Sequence, residues 1–98
     1  MSTSTITTTN AILSTPGEIL QEEFMEPYKI SAYRLSKATG LSQTAIGEII
    51  HGERAITMRT AYLFGKAFGT SAEFWYNLQK DYDMLSFDPT GIDAQPVV

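Results

Sequence analysis

The fold is decided in the middle of the chain, where residues 31–52 read SAYRLSKATGLSQTAIGEIIHG. Ser31 can cap a helix that Gly40 ends, and Ser42 can cap a second helix that Gly52 ends. The two helices are separated only by the segment from Gly40 to Ser42. Two short helices joined by a three-residue turn with a glycine form a helix-turn-helix, so the stretch predicts that motif.

Similar helix signals continue on both sides of this motif. Thr15 and Glu18 can form a capping box around Pro16, while Thr57 and Ser71 can cap two later helices. The sequence therefore predicts an all-α fold with five short helices, over 16–25, 32–39, 43–51, 58–68 and 72–85. From helical spacing we place the core on these residues: Leu35, Ala38, Ile46, Ile49, Ile50, Ala61, Phe64, Phe68, Trp75, Leu78, Tyr82 and Leu85.

The length of 98 residues and the hydrophobic content of 43% fit one folded domain. Because Ser and Thr dominate the first ten residues, we predict a flexible arm over 1–14. The helix-turn-helix domain is predicted over 15–85, with DNA binding and dimerisation as its roles. The Pro- and Gly-containing remainder, 86–98, predicts an extended tail.

Composition excludes several kinds of site. The chain has no Cys and one His, which rules out disulfides, thiolate zinc sites and thiol nucleophiles and argues against any metal or cofactor. No apolar run is long enough to span a membrane, and the N-terminus lacks the features of a secretory signal. We therefore expect a cytoplasmic protein with no membrane partner.

Charge is distributed unevenly, although the net charge is -4. Residues 1–28 and 67–98 are acidic, whereas residues 29–66 carry six Lys or Arg against two Glu. A basic centre between acidic flanks is expected if one region meets phosphate and another meets a different partner. A mosaic of solvated surface charges is the alternative explanation.

From Pro16 to about Met84 the chain resembles the HigA family, antitoxins among the lambda-repressor-like (XRE) helix-turn-helix proteins. The matching segments are PGEIL at 16–20, LS at 41–42, HGERAIT at 51–57 and FGTSAEFWYNLQ at 68–79. The resemblance implies an antitoxin of a type II toxin–antitoxin module. Such a protein binds operator DNA as a dimer, represses its own promoter and neutralises a HigB-type toxin that cleaves mRNA.

A recognition helix contacts bases through residues near its N-terminus, which enter the major groove. The candidate base-contacting residues are Ser42, Gln43, Thr44, Ala45, Gly47 and Glu48. The candidate phosphate-contacting residues are Lys37, His51, Arg54 and Arg59. Gln43 can form two hydrogen bonds with adenine. The helix has no Arg or Lys, however, and ordinary exposed helix residues remain the alternative for Gln43 and Thr44.

Enzymatic activity is not expected. His51 and Glu48 lie three positions apart and could form an acid–base pair. No nucleophile, metal-ligand set or glycine-rich phosphate loop accompanies them in the sequence.

The last two helices predict a dimer interface. Phe74 and Trp75 diverge by about 100° around a helix, so both cannot face the core of one monomer. Leu63 lies off the predicted core stripe and should be exposed. We therefore expect a homodimer through four residues: Leu63, Phe74, Trp75 and Tyr76.

The sequence leaves two alternatives open. The chain could be a transcriptional regulator without a toxin partner, or a protein-interaction domain whose recognition helix has decayed. A toxin could bind either the acidic first helix or the acidic C-terminal region, and the sequence does not choose between these surfaces.

Overall fold

The computed structural model describes residues 14–98. That part of the chain forms five helices and no strand, which confirms the predicted fold class. The predicted arm over 1–14 lies outside the described residues except for Ser14. No helix within 14–98 combines the length and hydropathy needed to cross a bilayer.

Helix α1 consists of an α-helical turn, Pro16–Ile19, continued by a π-helical segment, Leu20–Met25. Its start is the predicted capping box, in which the Glu18 N–H donates to Thr15 Oγ1 (3.1 Å) and the Thr15 N–H donates to Glu18 Oε1 (2.8 Å). The helix predicted over 16–25 is present, but its second part is π-helical rather than α-helical. The wider i→i+5 turn brings Leu20 and Met25 onto one face, and both are buried.

The other four helices begin after the predicted caps, each of whose side chains accepts a hydrogen bond from a backbone N–H in the first turn. They are α2 (Ala32–Thr39), α3 (Gln43–Ile50), α4 (Met58–Phe68) and α5 (Ala72–Ser86). Helix α3 ends one residue earlier than predicted, because His51 is its C-cap. Gly40 and Gly69 end α2 and α4 with φ values of 83° and 71°, a left-handed conformation that glycine adopts without strain.

The core forms around Trp75, whose ring lies 4.7 Å from Phe24 and 5.2 Å from Phe64 between centroids. Most predicted core residues are buried or partly buried here. Ala38 and Leu85 are exposed, so their prediction as core was wrong. Both sit near the end of a helix, where the neighbouring elements no longer cover that face.

Beyond α5, residues 87–98 form neither helix nor strand and are exposed. A turn follows Asp88, whose Oδ1 accepts the Thr90 N–H at 3.0 Å. The pKa of the Asp88 carboxyl lies below its usual range. The main cause is this hydrogen bond from the Thr90 backbone, and a hydrogen bond from the Thr90 side chain contributes less.

Candidate nucleic-acid interface

Side-chain hydrogen bonds fix the turn between α2 and α3. Ser36 Oγ donates to the Leu41 carbonyl at 2.5 Å, and Thr39 Oγ1 accepts the Leu41 N–H at 3.2 Å. Leu41 itself packs against the hydrophobic core. The turn therefore holds α3 at a defined angle to α2, which is what a recognition helix requires.

The N-terminus of α3 faces solvent, where Ser42, Gln43 and Thr44 are all exposed. Ser42 Oγ accepts the Ala45 N–H at 3.0 Å, so this hydroxyl both caps the helix and lies at its exposed end. Ala45 is only 8% exposed, and its prediction as a base-contacting residue was wrong. It lies one turn before Ile49 on the face that packs into the core.

Gly47 leaves a gap on the surface of α3. A Cβ built on it meets no atom of the described residues within 4 Å. Gly costs roughly 1 kcal/mol relative to Ala inside a helix, and packing among residues 14–98 does not explain why Gly occupies this position. The backbone of α3 is thus accessible to an external surface at this point.

The predicted acid–base residues Glu48 and His51 make other contacts. Arg54 Nη2 lies 2.6 Å and Arg54 Nε lies 2.8 Å from Glu48 Oε1. His51 Nδ1 lies 2.7 Å from the Gly47 carbonyl, which can only accept, so Nδ1 carries the proton and Nε2 faces away. The Glu48 carboxylate is therefore paired with a cation, and the His51 ring is held by the backbone.

All four predicted phosphate-contacting residues are exposed: Lys37, His51, Arg54 and Arg59. Lys37 Nζ lies 5.8 Å from the centroid of the Tyr33 ring. Arg59 lies in the first turn of α4, and Arg54 in the segment that leads to it. Their side chains are available to an anionic partner, although the Arg54 guanidinium already forms an ion pair with Glu48.

The predicted dimer residues occupy different environments. Trp75 is 0% exposed and donates from Nε1 to Thr70 Oγ1 at 2.7 Å, so its assignment to a dimer interface was wrong. Phe74 and Tyr76 are exposed, but they diverge by about 200° around α5. Leu63 is partly buried rather than exposed, because α4 and α5 pack against each other.

An apolar groove, which was not predicted from the sequence, runs along the C-terminal half of α5. Tyr76, Met84 and Phe87 line it together with Gln79, Lys80, Asp83 and Pro89. Met84 and Phe87 are 77% and 62% exposed. The spacing of Tyr76 and Met84 by eight residues, about two helical turns, was the available signal.

Comparisons with known proteins agree with this geometry. The helix-turn-helix family matches residues 22–75, which is more than half of the chain. Virulence-associated protein I of Dichelobacter nodosus is 44% identical over 70% of this chain. The match covers 64% of that relative, slightly less than two thirds of its length.

Two solved structures are similar over most of their length. Pseudomonas aeruginosa antitoxin HigA with the higBA promoter has a TM-score of 0.73 and 36% identity, covering 76% of this chain and 80% of that chain. An addiction module antidote protein of the HigA family from Coxiella burnetii has a TM-score of 0.69 and 43% identity, covering 74% and 78%. These matches confirm the resemblance found in the sequence. The chain belongs to the HigA family of DNA-binding helix-turn-helix proteins.

Proposed function

We propose that this chain is the antitoxin of a type II toxin–antitoxin module. It binds operator DNA as a homodimer, represses its own promoter and neutralises a HigB-type mRNA-cleaving toxin. The observation that carries the proposal is the exposed N-terminus of α3, flanked by four exposed basic side chains, in a fold similar to an antitoxin solved with promoter DNA. The function needs no catalytic residue, cofactor or metal.

Base recognition falls to the exposed part of α3. The Gln43 amide can accept and donate at the same time, which matches N6 and N7 of adenine in the major groove. The Thr44 methyl can contact a thymine methyl. One bidentate contact discriminates against a wrong base by about 1–3 kcal/mol, so Gln43 is the main specificity residue of the proposed site.

Phosphate contacts supply affinity and orientation. Lys37, His51, Arg54 and Arg59 lie on α2, on α4 and around the end of α3, so they frame the recognition helix. Binding through such groups weakens steeply as salt rises, because each neutralised phosphate releases counterions.

Dimerisation is assigned to the apolar groove of α5. Tyr76, Met84 and Phe87 share this groove, whereas Phe74 lies on another side of the helix. A symmetric pair of recognition helices spaced roughly 34 Å apart would read two half-sites of a palindromic operator.

Toxin neutralisation is supported by membership of the HigA family and by charge. Glu22, Glu23 and Glu26 are exposed at and just after the π-helical segment of α1. An acidic surface of this kind suits a basic ribonuclease through charge complementarity.

The test is a native pull-down of the tagged chain at low salt, followed by mass spectrometry and by gel-shift assays with DNA upstream of its gene. A stoichiometric small basic protein, together with a shift that disappears at high salt, is expected. A chain recovered alone that still shifts its promoter would refute the toxin half only. Recovery alone with no shift at low salt would refute both halves.

A further inference from the structure

We propose that Gln79 is a positioning residue for DNA binding, which holds the segment between α3 and α4 in place. The inference rests on the proposed operator binding and assigns a role to the last residue of the sequence motif at 68–79. The segment from His51 to Thr57 links the recognition helix to α4 and carries Arg54.

A side-chain amide joins this segment to α5. The Ile56 N–H donates to Gln79 Oε1 at 2.7 Å, across 23 positions of sequence. Ile56 is buried, so its N–H has little access to water and depends on this acceptor. The bond therefore fixes the backbone two residues after Arg54.

The amide of Gln79 is itself oriented from the other side. Its Nε2 donates to Asp83 Oδ1 at 2.9 Å, one turn further along α5. The position thus needs an acceptor towards Ile56 and a donor towards Asp83, and a planar amide supplies both. A carboxylate at position 79 could accept from Ile56 but would face the negative charge of Asp83.

The backbone position of Arg54 depends on this arrangement. Its guanidinium pairs with Glu48 on α3, whereas the backbone two residues after it is held by Gln79 on α5. Releasing the backbone contact lets the segment move and spreads the Arg54 side chain over more positions. Ordering it again on DNA costs free energy, so operator affinity falls.

Asp83 also lines the apolar groove that contains Tyr76, Met84 and Phe87. It borders the cleft around Gly52 and Arg54 as well. The Gln79–Asp83 pair therefore lies between the proposed dimer surface and the DNA-contacting segment.

The experiment compares Gln79→Ala, Gln79→Glu and the double variant Gln79→Glu/Asp83→Asn with the wild type. Asn77→Ala is the matched control, since Asn77 is an exposed amide on the same helix. Amide exchange of Ile56 is measured by NMR on the free protein, and the affinity for the upstream DNA is measured across a salt series.

We expect Gln79→Ala to speed Ile56 exchange and to weaken operator binding, each by about fivefold to tenfold, with a shallower dependence on salt. Gln79→Glu should weaken binding similarly, and adding Asp83→Asn should restore it, because the double variant exchanges donor and acceptor. Asn77→Ala should change neither quantity.

If the wild type binds the upstream DNA and Gln79→Ala binds it equally well, the positioning role is overturned and the proposed function stands. Unchanged Ile56 exchange, or no rescue in the double variant, would also overturn the positioning role. A wild type that fails to bind the upstream DNA would overturn the proposed function itself, and this inference with it.

Discussion

Gly17 lies so close to Ile49 that a Cβ built on Gly17 would stand 1.8 Å from the Ile49 carbonyl oxygen. The contact joins the first turn of α1 to the last turn of α3. Because the obstructing atom belongs to the backbone, it cannot move aside as a flexible side chain could. Helix α3 is therefore held at its C-terminal end by a contact that only glycine permits.

We expect Gly17→Ala to destabilise the domain by about 3 kcal/mol, since the added methyl must push α1 away from α3. Urea unfolding followed by circular dichroism measures the change. A loss below about 1 kcal/mol would show that the helices separate easily and that the contact does not constrain α3.

Gly47→Ala tests the opposite case to Gly17→Ala, because Gly47 lies where α3 has space for an added methyl group. The helix should gain about 0.5–1 kcal/mol of stability, because a Cβ there meets nothing among residues 14–98 and Ala favours the helix. Operator affinity should nevertheless fall by roughly tenfold, if the DNA approaches this backbone closely enough to exclude a methyl. Fluorescence anisotropy with labelled promoter DNA measures the affinity, and a stabilised variant with full affinity would contradict that approach.

Glu48→Gln should strengthen DNA binding by releasing Arg54 from its ion pair. Both partners are substantially exposed, so the pair contributes at most about 1 kcal/mol to folding, and stability should change little. The slope of log affinity against log salt should steepen by about 1, since one more cation becomes free to neutralise a phosphate.

Glu53→Gln is the matched control for this variant. Glu53 is exposed and next to Arg54, and the substitution removes the same charge without breaking the Glu48–Arg54 pair. An equal gain in affinity and slope from both variants would mean that general charge repulsion, and not the release of Arg54, limits binding.

Local signals made the helices predictable from the sequence. Capping by Ser31, Ser42, Thr57 and Ser71 depends on residues within one turn, and all four caps are present. The π-helical segment of α1 was not predictable in this way, because it depends on which side chains the rest of the fold can bury.

The candidate site was predictable only in part. Exposure of Gln43 and Thr44 follows from their position at the start of α3, and burial of Ala45 could have been read from its spacing to Ile49. Phe74 and Trp75 point in different directions around the helix, which indicated that one of them lies outside the core, but not which one. The hydrogen bond between Gln79 and Ile56 joins segments that are 23 positions apart, so no local sequence pattern predicts it.

Trp75→Phe should cost about 1–3 kcal/mol of stability without changing the oligomeric state. The smaller ring leaves a gap in a cluster with Phe24, Phe64 and Phe68, and it loses the Nε1–H bond to Thr70. Thermal unfolding and sedimentation measure the two quantities. Dissociation of the folded variant at micromolar concentration would instead place Trp75 close to an interface.

Met84→Glu should convert the proposed dimer to a monomer at micromolar concentration, because it places a charge in the apolar groove that each copy must desolvate. Sedimentation velocity measures the change. Met84 is highly exposed in the single chain, so the folded monomer should keep its stability within about 0.5 kcal/mol.

Leu85→Glu introduces the same charge one residue further along α5, about 100° around the helix and outside that groove. Leu85 is also exposed, and it lines a second cleft with Leu78, which Met84 borders as well. This variant should remain dimeric and keep its operator affinity, whereas Met84→Glu should lose affinity because its two half-sites bind independently. Dimers in both variants would exclude the groove of Tyr76, Met84 and Phe87 as the interface, and a monomer only in Leu85→Glu would move the interface to the other side of α5.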